Sequence, residues 1–145
     1  MTEIAFHFNV PDKLLYSCRL LRKAYLSGAK VVVTGEPEVL AQLDQLLWSF
    51  SAAEFIPHCR LTAEAATLAA TPVLLAESLT ALPHHGVLVN LGHGIPDQFE
   101  RFERFVEVVT QADDDRLAAR SRWKHYADRG YTMKRHDLAA AGEAA

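Results

Sequence analysis

A three-layer α/β domain with a mainly parallel central sheet is the fold class this sequence predicts, and three observations predict it. Short apolar runs alternate along the chain with segments of helical period. The runs KVVVT (residues 30–34), PVLLA (72–76) and GVLVNL (86–91) are apolar almost throughout, as strands covered on both faces are. Glycine and proline stand where the helical segments should stop and start.

The elements follow in order. Ile4, Phe6 and Phe8 alternate with Ala5 and His7, the period of a half-buried strand. Leu14, Leu15, Cys18, Leu20, Leu21 and Tyr25 then recur at helical spacing, and Gly28 occupies the position of a glycine that ends such a helix. Lys30 to Thr34 is the second strand. Pro37 opens a second helix, with Val39, Leu40, Leu43, Leu46 and Leu47 turned inward and Gln42, Asp44 and Gln45 facing water. Residues 48–61 are irregular; residues 72–76 and 86–91 suit the sheet interior, joined through a turn at Leu82–His85. The spacing of Phe99, Phe102, Phe105, Val106 and Val109 predicts a helix over 96–109, and a last helix runs from about Asp114 to Ala127 with Gly130 as its cap. Residues 1–138 therefore read as a single α/β domain, and 139–145, AAAGEAA, as a flexible C-terminal tail.

With 145 residues, half of them apolar, the chain has material for one ordinary core. A formal charge of −3 excludes a surface that grips nucleic acid everywhere, because that requires many cations to displace counterions. Basic charge is instead local: Arg116 to Arg135 holds seven Lys or Arg against one acid, Asp128. Cys18 and Cys59 have no C-x-x-C spacing, which fits a reducing, cytoplasmic setting, and no apolar run approaches the roughly 20 residues of a membrane span.

Catalytic and cofactor motifs are missing. No stretch reads G-x-G-x-x-G or G-x-x-x-x-G-K-[ST], so the fold is nucleotide-binding-like but has no phosphate loop. Gly92-His93-Gly94 has the right context for an anion site but lacks a third glycine and a lysine, and reads as a plain turn. His58, Cys59, His84, His85 and His93 show no metal-ligand spacing, and no G-x-S-x-G elbow is present. No catalytic residue, metal or cofactor is expected.

Two constellations stand out. Arg116, Arg120 and Lys124 are four apart and stack along the last helix beside Trp123, an arrangement that suits an acidic peptide as well as a solvated helix face. Tyr126, Gly130, Tyr131 and Met133 continue past the helix and should fold the chain end back onto the domain. The second cluster, Trp48, Phe50, Phe55, Ile56, Pro57 and His58, suits either an interface anchor or burial under the sheet edge.

LDQLLWSFSAAEFIPH, from Leu43 to His58, resembles the most distinctive segment of the chi subunits of bacterial DNA polymerase III, and RLAARSRWKHYADRGY, from Arg116 to Tyr131, is similar to their C-terminal signature. Element order and length agree as well, so the resemblance covers nearly the whole chain. It departs at Trp123, where tyrosine is common, and residues 60–85 carry no family motif. The resemblance implies a nucleotide-binding-like fold without a nucleotide and a non-catalytic accessory subunit of the clamp-loader assembly, acting in DNA replication and repair. It implies that Arg116, Arg120, Trp123 and Lys124 receive the acidic, Phe-terminated tail of single-stranded DNA-binding protein. It carries Trp48, Phe55, Ile56, Pro57 and His58 to the face that meets psi, the link to the clamp loader, or a helicase-like repair protein, with DNA contacted only indirectly. The rival readings are a nucleotide-dependent α/β enzyme and a direct binder of single-stranded DNA.

Overall fold

Val31, Val32 and Val33 are each 0 % exposed because the strand they form is covered on both faces, so every side chain meets core whichever way the pleat turns it. The computed structural model describes residues 1–49 and 55–139. In chain order the elements are β1 (Glu3–Val10), α1 (Lys13–Leu26), β2 (Val31–Thr34), α2 (Pro37–Ser49), β3 (His58–Arg60), α3 (Ala65–Ala70), β4 (Val73–Leu75), β5 (Val87–Asn90), a 3-10 turn (Phe99–Arg101), β6 (Arg104–Thr110), α4 (Asp113–Asp128) and β7 (Met133–Asp137). The seven strands form one sheet in the order β3-β4-β2-β5-β6-β1-β7, and every pairing is parallel. The predicted three-layer α/β class is therefore the observed one.

Two hydrophobic layers sandwich the sheet. Val31, Val33, Val73, Leu75, Val89 and Val108 pack toward Cys18, Leu21, Leu40, Leu43 and Leu47 of α1 and α2. Val32, Leu74, Leu88, Phe105 and Val109 point the other way, toward Phe99, Ala119 and Tyr126. Burying such side chains contributes about 1.5–3 kcal/mol each, which is what holds the layers together.

α1 and α4 end alike. After α1 the Gly28 N–H donates to Tyr25 O and the Ala29 N–H to Ala24 O; after α4 the Gly130 N–H donates to Ala127 O and the Tyr131 N–H to Tyr126 O. These are Schellman turns, and the left-handed residue they need is supplied by Gly28 at φ +83 and Gly130 at φ +80, as expected from the sequence. The second turn sends the chain straight into β7, which runs beside β1.

The helix expected over 96–109 is absent. Phe99 and Phe102 sit on and just after the 3-10 turn, whose threefold repeat brings both inward, and β6 begins two residues later. Within β6, Phe105, Glu107 and Val109 face α4 while Val106 and Val108 face α1, so a doubly covered strand mimicked helical spacing. The irregular stretches also contain β3 and α3, and the chain end contains β7, none of which the hydrophobic pattern announced. Of the expected tail at 139–145, only Ala139 lies within the described residues, and Phe50 lies outside them. Among the described residues no helix is long and apolar enough to cross a membrane.

His7, on the α1 side of β1, places its Nδ1 2.5 Å from the Tyr16 hydroxyl and its ring 5.0 Å from that of His136. Burial first, then the charges of His136 and Lys23, lower the imidazole from 6.5 to about 4. Between these values the unfolded chain binds a proton that the folded chain refuses, so stability is complete above about pH 6.5 and declines as pH falls toward about 4. A His7→Gln variant is expected to show a flatter decline of thermal midpoint across that window; identical slopes in parent and variant would remove His7 as the cause.

Candidate functional site

The C-terminal ends of β1 and β6, the flank of α4 and the edge strand β7 enclose an open groove of about 420 Å³. Its floor is apolar: Phe6, Phe8, Val109, Ala119 and the half-buried Trp123, whose ring meets Phe6 edge-on at 5.1 Å. Its rim carries Arg116 and Arg120 from α4 and Arg135 from β7, with Asn9 and Thr110 at one end and no carboxylate among the lining residues. Neither Arg116 nor Arg120 has an ion-pair partner among the described residues. An apolar trough edged by unneutralised guanidinium groups suits a ligand that combines carboxylates with an apolar side chain.

Three of the four residues expected on the helix meet here and one does not. Each four-residue step around an α-helix of 3.6 residues per turn rotates the side chain by about 40°. Lys124 is therefore carried away from Arg116, onto solvent, where its Nζ lies 2.8 Å from Asp128 Oδ2 with 77 % of the side chain exposed. Trp123 is less exposed than a free-standing aromatic on a charged ridge would be; it packs against the core and forms groove floor. Arg135, Phe6 and Phe8 join the site because the parallel register of β1 and β7 sets Phe6 against Arg135, and the Arg135 guanidinium lies 5.2 Å over the Phe8 ring. At the end of β1 a bulge puts Asn9 at φ +60, a conformation asparagine tolerates, and its Nδ2 donates to Asp137 Oδ1 at 2.8 Å.

What fixes the helix flank is a buried polar network. Glu107 on β6 is 0 % exposed and Arg122 on α4 is 2 % exposed; Arg122 Nε donates to Glu107 Oε2 at 2.9 Å. The Tyr126 hydroxyl donates to the same oxygen at 2.7 Å and Asn90 Nδ2 to Oε1 at 2.9 Å. Burial pushes the Glu107 carboxyl up, against the opposing pull of Arg122 and these donors, and burial together with Glu107 pushes the Tyr126 hydroxyl up as well. Arg122 thus belongs to the packing of α4, not to the exposed basic surface in which a count of cations places it. The signal for the network was Glu107 in the apolar run FVEVV, with Asp115, Ala119, Arg122 and Tyr126 on one helical face.

The Gly92-His93-Gly94 turn is tied into this framework. Arg122 Nη1 donates to His93 O at 2.7 Å, Asn90 Nδ2 to Gly94 O at 3.1 Å, and the Gly92 N–H to Asn90 Oδ1 at 2.9 Å. His93 Nε2 also lies 3.1 Å from Asp115 Oδ1. Burial would raise the Asp115 carboxyl, but the Thr110 N–H, Lys13 and the Thr110 hydroxyl outweigh it and hold the group below its usual value. Among the described residues no three His, Cys, Asp or Glu side chains are grouped as a metal ligand set.

The second cluster lies at the end of α2. Trp48 is 64 % and Phe55 49 % exposed, with ring centroids 5.0 Å apart, and His58 lies under both at 5.1 and 5.7 Å. His58 Nδ1 donates to Ile56 O at 2.7 Å, and Nε2 lies 3.0 Å from Asp44 Oδ1. Pro57 is partly buried beside them, whereas Ile56 is 2 % exposed and packs in the core. The aromatic pair Trp48 and Phe55 is accordingly the accessible part of the cluster.

Fold and site together define a class: an all-parallel α/β domain whose strand ends carry a basic, aromatic-floored groove and a pinned turn instead of a phosphate loop. Residues 1–134 match the family described as DNA polymerase III chi subunit, HolC. A DNA polymerase III subunit chi of Pseudomonas aeruginosa is 32 % identical over 144 residues, 95 % of this chain and 98 % of that protein. The corresponding subunit of Escherichia coli K12 is 26 % identical over 117 residues, 80 % of this chain and 79 % of that one. The chain belongs to the DNA polymerase III chi subunit family, a family of accessory subunits.

Proposed function

We propose that this chain is a non-catalytic cytoplasmic adaptor, binding the acidic, Phe-terminated tail of single-stranded DNA-binding protein in the groove and joining it to the clamp loader through psi or a similar partner. The observation that carries the reading is the groove itself, with three arginines, no carboxylate and an aromatic floor. An acidic tail supplies carboxylates for the rim, and its terminal phenylalanine supplies apolar surface for the trough. The aromatic pair Trp48 and Phe55 serves as the second contact, for psi or a helicase-like repair protein, since exposed large aromatics are the residues that anchor protein interfaces.

The mechanism is tethering. Each tail contact is individually weak, but a DNA-coating protein displays many tails, and linking them to the polymerase assembly raises their effective concentration. DNA is then contacted through the coating protein, which a chain of net charge −3 can do without a nucleic-acid surface of its own.

A labelled peptide of acidic residues ending in Phe, titrated into the parent and into Arg120→Ala and Trp48→Ala variants, tests both contacts. Arg120→Ala is expected to weaken the peptide by roughly tenfold or more. Trp48→Ala is expected to leave the peptide unaffected and to weaken psi binding measured in parallel. No binding by the parent would sink the adaptor reading; loss of the peptide in Trp48→Ala alone would move the site to the other face.

A further inference from the structure

β1 lies between β6 and β7 in the sheet, so Arg135 reaches the groove from the side of the floor away from the helix-covered strand. Its position owes nothing to the basic helix. It faces Phe6 in register, and Phe8 holds the guanidinium over its ring at 5.2 Å. A side chain already restrained by a cation–π contact loses little further freedom when it pairs with a ligand.

We infer that Arg135 is a third ligand-contacting cation, so that the groove selects a peptide presenting carboxylates to both sides of an apolar side chain seated between them. This rests on the peptide-binding reading above and adds to it a specificity that the helix alone does not provide. A peptide with its acids confined to one side satisfies Arg116 and Arg120 and leaves Arg135 unpaired; a two-sided one satisfies all three.

The experiment is a double-mutant cycle. The acidic Phe-ending peptide and a set in which each Asp is replaced singly by Asn are titrated into the parent, Arg135→Gln, Arg135→Lys and Arg120→Ala proteins. Arg135→Gln is expected to weaken the unsubstituted peptide roughly fivefold and to flatten the salt dependence, with Arg135→Lys intermediate. One Asn-containing peptide is expected to lose affinity for the parent but none further for Arg135→Gln, and a different one to be silent against Arg120→Ala. If Arg135→Gln binds every peptide as the parent does while Arg120→Ala loses them, Arg135 is a bystander and the inference falls. A parent that binds no peptide overturns the function proposed for the groove itself, a distinct result.

Discussion

Replacing Arg122 by Ala is expected to destabilise the fold by about 3–5 kcal/mol, because it leaves the Glu107 carboxylate buried without its counter-charge. Glu107 has no exposed surface, and Tyr126 and Asn90 alone would then solvate it. Chemical denaturation of parent and variant measures the loss. A double variant, Glu107→Leu with Arg122→Met, should recover much of it, since removing both charges also removes their desolvation cost. A single-variant loss below about 1 kcal/mol, the range of exposed pairs, would mean that the network does not anchor α4. The effect reaches the site, because Arg120 and Trp123 ride on the same helix.

Reversing both helix cations, Arg116→Glu with Arg120→Glu, is expected to abolish acidic-peptide binding. Like charges brought together at an interface cost several kcal/mol, which corresponds to a weakening on the order of a hundredfold or more. Stability should stay near that of the parent, for both side chains are exposed and neither has an ion-pair partner among the described residues. Calorimetric titration with the acidic peptide, beside a thermal scan, reads both quantities; near-parental affinity in this variant would remove the groove as the binding site.

The sequence was most legible where one physical demand dominated. Val31–Val33 can be little other than a doubly covered strand, and Gly28 and Gly130 stand where only a left-handed residue closes the turn. It was least legible at the sheet edges. β7, MKRHD, and β3, HCR, are short, polar edge strands; their character protects the open edge from pairing with other chains and removes the alternation by which a strand is recognised. Hence Arg135 counted only as one of the local cations, although it shares the groove with Arg116 and Arg120. β6 failed differently, because Phe99 on a 3-10 turn and Phe102 just after it keep a threefold spacing that runs into the strand and imitates a helix. Lys124 stands off the groove lining because each four-residue step rotates the side chain by about 40°, which the spacing conceals over one turn and reveals over two.

β1 is made well before both of its neighbours, β6 and β7: Glu3 is in register with Arg104, and Ile4 with Met133. During synthesis the floor of the groove thus exists long before either of its sides. Loop closure over so long an interval makes pairing late and slow, and no partial chain can hold Phe6 beside both Trp123 and Arg135. Binding competence therefore arrives only once β7 has been made, so chains that stop short of it cannot compete for the same ligand with those that contain it.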